Sequence, residues 1–165
     1  MKRLTLPILL LTAAHGQSSA PANVTFTLTQ DLIKRSTDSS GATTETVIES
    51  PKTVLPGDLL REQVTLRNVS GRRLGALNVN LPVPRGTEFS VLTTPAGDRW
   101  TVSYSIDGGK TFSAQPRRRV TTTEGGQSVT RDVPAPTSSY TNVRWTVSSM
   151  QVNETLKFSI RVKVK

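Results

Sequence analysis

Cysteine is absent from the chain, and histidine occurs once, at position 15. The first absence removes disulfides, thiolate nucleophiles and cysteine metal sites together. It does not assign a compartment. Aromatic residues make up 5% of the sequence, too few for a row of base-stacking platforms. Nowhere do ten consecutive residues after the N-terminal region carry a helical apolar stripe, and only one apolar run is long, Leu4 to Ala14. That run is too short to be a membrane span with flanking anchors.

What is present is serine, threonine and valine in quantity, with 11 glycines and 10 prolines. This mixture favours short strands and turns. The 165 residues suit one domain with a targeting segment attached.

The N-terminus reads as a secretory signal. Lys2 and Arg3 form a positive region, Leu4 to Ala14 the apolar run, and Ala14-His15-Gly16 offers small residues where a signal peptidase reads. Cleavage is expected after Gly16, with Ala20 as a second choice, so residues 1–16 are the signal. Their removal takes Lys2, Arg3 and His15, leaving 19 basic against 12 acidic residues, a net charge of +7. The product then has neither histidine nor cysteine, and Met150 is its one thioether. Zinc, copper and thiol chemistry lose their ordinary ligands. The 12 acidic residues are scattered and no acid–base pair stands out. No catalytic residue, metal site or cofactor is expected.

The rest of the chain alternates with period two. Asn23 to Gln30 (NVTFTLTQ) puts Val24, Phe26 and Leu28 on one side, predicting a half-buried strand that continues into Asp31–Arg35 after a bend. Ser36 to Thr44 reads as a loop and Glu45 to Ser50 as a weaker strand. Pro56-Gly57-Asp58 suits a tight turn. Then Leu60, Val64 and Leu66 share a face, as do Leu77, Val79 and Leu81, before Pro82 and Pro84 end that strand. Glu88–Thr93 is a further short strand. Trp100, Val102, Tyr104 and Ile106 are in phase, followed by a turn at Asp107–Lys110 and a return beginning at Thr111-Phe112. Arg117–Thr123 and Gln127–Val133 pair across Glu124-Gly125-Gly126. Val143, Trp145 and Val147 alternate, and Leu156 to Val164 is the most regular strand. About seven to nine strands, each apolar on one side, predict an all-β, immunoglobulin-like antiparallel sandwich over residues 54–165. Residues 17–53 are a strand segment that belongs to it or is appended to it, with donation of the Gln17–Thr44 part to a neighbouring subunit as an alternative. A closed barrel is the alternative architecture.

One sequence order is distinctive. Pro56-Gly57-Asp58 opens a strand ending at Asn68, and a second strand ends in Leu81 to Gly86 (LPVPRG). Tyr104 to Phe112 (YSIDGGKTF) and Val143-Arg144-Trp145 follow. Together these resemble a bacterial envelope surface-repeat domain of unknown function, often found in tandem in exported proteins. The resemblance implies an immunoglobulin-like sandwich without catalysis. This chain has a single copy, and Leu81 stands where an acidic residue is common. Ser105 to Phe112 also fits the Asp-box pattern, with Ser105, Asp107, Gly109, Thr111 and Phe112 at its defining positions. In sialidase-like proteins that box is a structural hairpin away from the catalytic centre. Here it predicts a hairpin with Phe112 plugged against the core, or else a calcium site.

Two basic runs remain as candidate partner sites: Arg72-Arg73, and Arg117-Arg118-Arg119. Envelope or surface-layer proteins are the expected partners, with carbohydrate or an anionic wall polymer bound through these basic loops as the alternative. Nucleic acid is not expected, because no aromatics interleave the arginines and no groove-reading motif appears. Trp100 and Trp145 are in phase with apolar neighbours and read as core rather than sugar platforms. The Asn-x-Ser/Thr triplets at Asn23, Asn68 and Asn153 read as coincidences. The chain is thus expected to be a non-catalytic interaction module exported to a bacterial periplasm or cell surface.

Overall fold

The computed structural model describes residues 23–165, so the expected signal lies outside the described residues. The fold is all-β and antiparallel. Its strands are β1 (Val24–Thr37), β2 (Thr43–Glu49), β3 (Leu59–Asn68), β4 (Leu77–Pro82), β5 (Thr87–Leu92), β6 (Trp100–Ser105), β7 (Arg117–Glu124), β8 (Gln127–Pro134), β9 (Asn142–Val147) and β10 (Thr155–Val164). One sheet has five strands in the order β2-β1-β3-β10-β5, and a second has three, β4-β9-β6. Neither closes into a barrel. Among the described residues β7 and β8 pair only with each other, as a separate ribbon.

The two sheets share one core because their strands alternate. Leu60, Val64 and Leu66 of β3, Phe158, Ile160 and Val162 of β10, and Val143, Trp145 and Val147 of β9 belong to one buried cluster. Trp145 is fully buried, and its indole N–H donates to the Thr94 carbonyl at 2.9 Å, so no polar group is stranded. Its ring lies 5.2 Å from that of Phe158, and Trp100 meets Phe158 edge-on at the same spacing. Each such side chain contributes about 1.5–3 kcal/mol by leaving water. Trp100 is only half-buried and seals the end of the core, its indole N–H donating to Pro95.

The expectation for β1 needs correction. Phe26 and Leu28 sit opposite Leu66 and Val64 and therefore on the core side of the larger sheet, yet they are 75% and 53% exposed. The reason is width. Three strands cannot cover five, and β4 ends the cover over β3, leaving the first half of β1 beyond it. β1 is an inner strand all the same, bonded to β3 along Val24–Ile33 and to β2 along Asp31–Thr37.

The expected Ser36–Thr44 loop shrinks to a tight turn. The Asp38 carboxylate accepts from the Ser40 amide and hydroxyl and from the Ala42 amide, which lets β1 and β2 pair up to Thr37 and Thr43. This hairpin curls over the outer face. Glu45 of β2 takes a two-pronged bond from Arg161 of β10 at 2.6 and 2.8 Å, although two strands separate them in the sheet. Arg161 and Arg35 hold the Glu45 carboxyl down to about 2.

Candidate interaction site

Ser105, the last residue of β6, is buried, and its hydroxyl starts the Asp-box network. It donates to Asp107 Oδ1 at 2.7 Å and accepts from the Gly109 amide at 2.9 Å. The Asp107 carboxylate also accepts from the amides of Lys110 and Thr111 and from the Thr111 hydroxyl at 2.6 Å. The Thr111 hydroxyl, followed by the Thr111 amide and Ser105, holds the Asp107 carboxyl well below the usual carboxylate range. Gly108 and Gly109 supply φ of +76° and +86°, and a side chain on Gly109 would press within 3.4 Å of Asn142. Both carboxylate oxygens are thus committed to the turn, and no acceptor capacity is left for a cation. Among the described residues no group of three or more His, Asp or Glu side chains is placed to hold a metal.

Phe112 does not plug the core as the sequence suggests. Its ring lies beneath the Arg144 guanidinium, 3.5 Å from carbon to ring centroid, and Arg144 stands on the outer face of the three-stranded sheet, bonded to Asn80. The cation–π contact therefore ties the box to the outside of that sheet. The expected return strand after Thr111 reduces to one bridge, Tyr104 to Ser113. Beside it opens a cleft of about 390 Å³ lined by Tyr104, Ile106, Phe112, Pro116 and Arg117.

The cleft leads to the ribbon. Pro116 is buried, and its carbonyl accepts from the Ala135 amide at 2.8 Å, closing the root. From there β7 and β8 run out, joined by Gly125 and Gly126 with φ of +57° and +81°. Two positive φ values are what a two-residue hairpin turn of type I′ requires. Alternation divides the arginine triplet. Arg117 and Arg119 lie on one face, where Arg117 donates to the Asp132 carbonyl and Arg119 pairs with the Asp132 carboxylate at 3.5 Å. Arg118 lies on the other, in line with Val120, Val129 and Val133 and with Arg131, which pairs with Glu124 at 2.9 Å. The valines are half-buried and the rest of the ribbon is exposed.

No family model, no curated protein and no solved structure matches this chain. The geometry must speak for itself.

Arg72-Arg73 and the triplet do not form one surface. Arg73 donates to Ser149 Oγ at 2.9 Å, beyond the C-terminal end of β9, whereas the ribbon root lies by β6's end and β9's start. The length of β9, about 20 Å, separates them. The Arg72 loop is also partly structural. Asn68, fully buried, donates its amide to the carbonyls of Arg72 and Gln151 and accepts from Ser70, tying the loop to the next chain reversal.

One buried ionisable residue escapes the sequence reading altogether. Glu62 is 3% exposed on the core side of β3 between Leu60 and Val64, and its one side-chain partner is Gln30. Burial pushes its carboxyl above the ordinary value against the hydrogen bond from Gln30. The signal was its phase: Glu62 falls in step with Leu60, Val64 and Leu66. Finally, no helix among the described residues is long and apolar enough to cross a membrane.

Proposed function

We propose that the chain is a non-catalytic interaction module of the bacterial cell envelope. It is an immunoglobulin-like sandwich of the surface-repeat kind, exported by its N-terminal segment, and it serves as a subunit or accessory of a surface assembly. The two antiparallel sheets with a common core support the sandwich. The observation that carries the interaction reading is the β7–β8 ribbon. Its two eight-residue strands leave the body and pair with nothing else among the described residues. A lone two-stranded ribbon is marginally stable in water, so one that extends this far is best explained by a partner that covers it. The row of Val120, Val129 and Val133 between Arg118 and Arg131 suits a partner with an apolar centre and an acidic margin.

The test replaces residues 118–133 by a short glycine–serine turn, keeping the Pro116–Ala135 bond. The full chain is expected to co-purify from solubilised envelope with a stoichiometric protein, and the shortened chain to fold and lose it. Retention of the partner by the shortened chain, or free release of the full chain with no partner, overturns the reading.

A second reading, an anionic wall polymer held at the ribbon root, is favoured by the cleft that places Arg117 beside Tyr104 and Phe112. It requires salt-sensitive polymer binding that falls when Arg117, Arg118 and Arg119 become alanine.

A further inference from the structure

β4 is an outer strand of the three-stranded sheet, so one of its edges is unpaired among the described residues. Which groups that edge presents follows from the ladder. Ser148 donates to Arg99, on the β6 side, so even-numbered residues of β9 face β6 and odd-numbered ones face β4. Leu77, Val79 and Leu81, opposite Val147, Trp145 and Val143, are then the bonded residues of β4. Asn78 and Asn80 turn their backbone N–H and C=O groups outward. Edge strands are ordinarily guarded by charge, and β4 (LNVNLP) has none. By contrast, the outer strand β2 carries Glu45 and Glu49, β5 carries Glu88, and the uncharged outer strand β6 is bridged on its free side by Gly97 at Trp100 and by Ser113 at Tyr104.

Below this edge lies the uncovered half of β1. Val24 and Phe26, with Val64, Leu66, Leu77 and Val79, line an open groove of about 380 Å³ in which no side chain is charged. Phe26 and Leu28 project on the core side of their sheet but stay in water. The groove therefore combines a row of free backbone donors and acceptors with an apolar floor, the two ingredients of strand addition.

We infer that this groove receives one extended strand from a partner polypeptide, a strand whose inward side chains are apolar and uncharged at every second position. The strand pairs in β4's free edge with Asn78 and Asn80, widens the smaller sheet to four strands and covers Phe26 and Leu28. The uncharged lining selects the chemistry, because a buried lysine or carboxylate on the incoming strand would find no counter-charge there. The width selects the number: strands lie about 4.8 Å apart, and a single one spans the strip of β1 that the three-stranded sheet leaves open. This surface is distinct from the ribbon and does not depend on what the ribbon binds.

The experiment uses a capped ten-residue peptide alternating threonine with valine and isoleucine, with a polyethylene-glycol tail for solubility. A control peptide has the same composition with its apolar residues in one block. Amide hydrogen exchange is followed by NMR on the full chain and on the chain with a shortened ribbon. At saturation the alternating peptide is expected to slow exchange at Asn78 and Asn80 by about tenfold or more in both chains, while the block control does not. Phe26→Arg, at an exposed site that tolerates the change, is expected to weaken binding by about tenfold, with Leu28→Thr as a milder second variant. Unchanged exchange at Asn78 and Asn80, equal binding of the control peptide, full affinity in Phe26→Arg and Leu28→Thr, or loss of binding on shortening the ribbon overturns the proposal. Concentration-dependent protection of the same amides without peptide, accompanied by dimers in sedimentation, overturns it in favour of self-pairing.

Discussion

β10 and β8 are both written in alternation, and they end in opposite circumstances. In β10 Phe158, Ile160 and Val162 are fully buried, with Ser159, Arg161 and Lys163 turned the other way. In β8 Val129 and Val133 hold equivalent phases but are only half-buried, and every other residue of the strand is exposed. The difference is not in the strands themselves. β10 lies between β3 and β5 and faces Trp145 across the core, while β8 has β7 beside it and, among the described residues, no sheet opposite. Period two decides which side chains share a face; only a second layer decides whether that face leaves water. β1 shows both conditions within one strand, with Leu32 buried and Phe26 exposed on the same side.

The comparison breaks most visibly under deletion. Trp145→Ala removes the largest fully buried side chain and should cost about 3–5 kcal/mol, enough to unfold much of the population in mild urea. Removing residues 118–133 should change the unfolding free energy by less than about 0.5 kcal/mol, as expected where little is packed. Urea titrations of the two variants against the parent check this. A ribbon deletion as costly as Trp145→Ala would show that the ribbon belongs to the cooperative unit.

A smaller effect of opposite sign is expected at Glu62. Its carboxyl titrates higher in the folded chain than the unfolded value of about 4.3, because burial disfavours the anion. Between those two values the native state binds more protons than the unfolded one, so this group's contribution falls as pH rises and the penalty is complete above the folded value. Glu62→Gln keeps a partner for Gln30 without the charge. It should raise stability by about 1 kcal/mol at pH 7, with the gain vanishing as the pH falls toward 4. Asp38, Asp58, Asp107 and Glu154 titrate low and pull the whole-protein curve the other way, so the informative quantity is the difference between variant and parent. A pH-independent difference would place the Glu62 carboxyl in water.

These contrasts mark what the sequence could convey. The strands, the Asp107 network and the core place of Trp145 were legible, because alternation and turn chemistry are local. Phe26 and Phe112 were not: Phe26 reads as core by its phase, and Phe112 by its place in the Asp box. Phe26 lies beyond the edge of β4, an outcome set by where the smaller sheet stops, and Phe112 is held on the outer face by the Arg144 guanidinium, a partner far along the chain. The arginine runs were legible as charge but not as position. Only the fold shows that Asp132 engages Arg117 and Arg119 while Arg118 turns away. The Asn68 network joins residues 68 and 151, a pairing no local pattern announces.

The smallest global effect belongs to the ribbon's tip. Gly126 holds φ at +81°, and Gly126→Ala adds a side chain with open space around it but in a backbone region that costs an L-residue roughly 1–2 kcal/mol. In a strand of the body that cost would appear in the midpoint of global unfolding. In the ribbon it should appear only locally. Amides of Val120–Thr123 and Ser128–Arg131 should exchange several-fold faster, while those of β3, β9 and β10 and the melting temperature stay unchanged. If instead the melting temperature falls in step with the ribbon's exchange, the strain is felt across the Pro116–Ala135 root. The ribbon would then be a rigid extension of the sandwich that presents its valine face at a fixed angle. The two outcomes demand different partners: a loosely held ribbon must be ordered on binding and loses affinity to that ordering, whereas a rigid one meets its partner already formed.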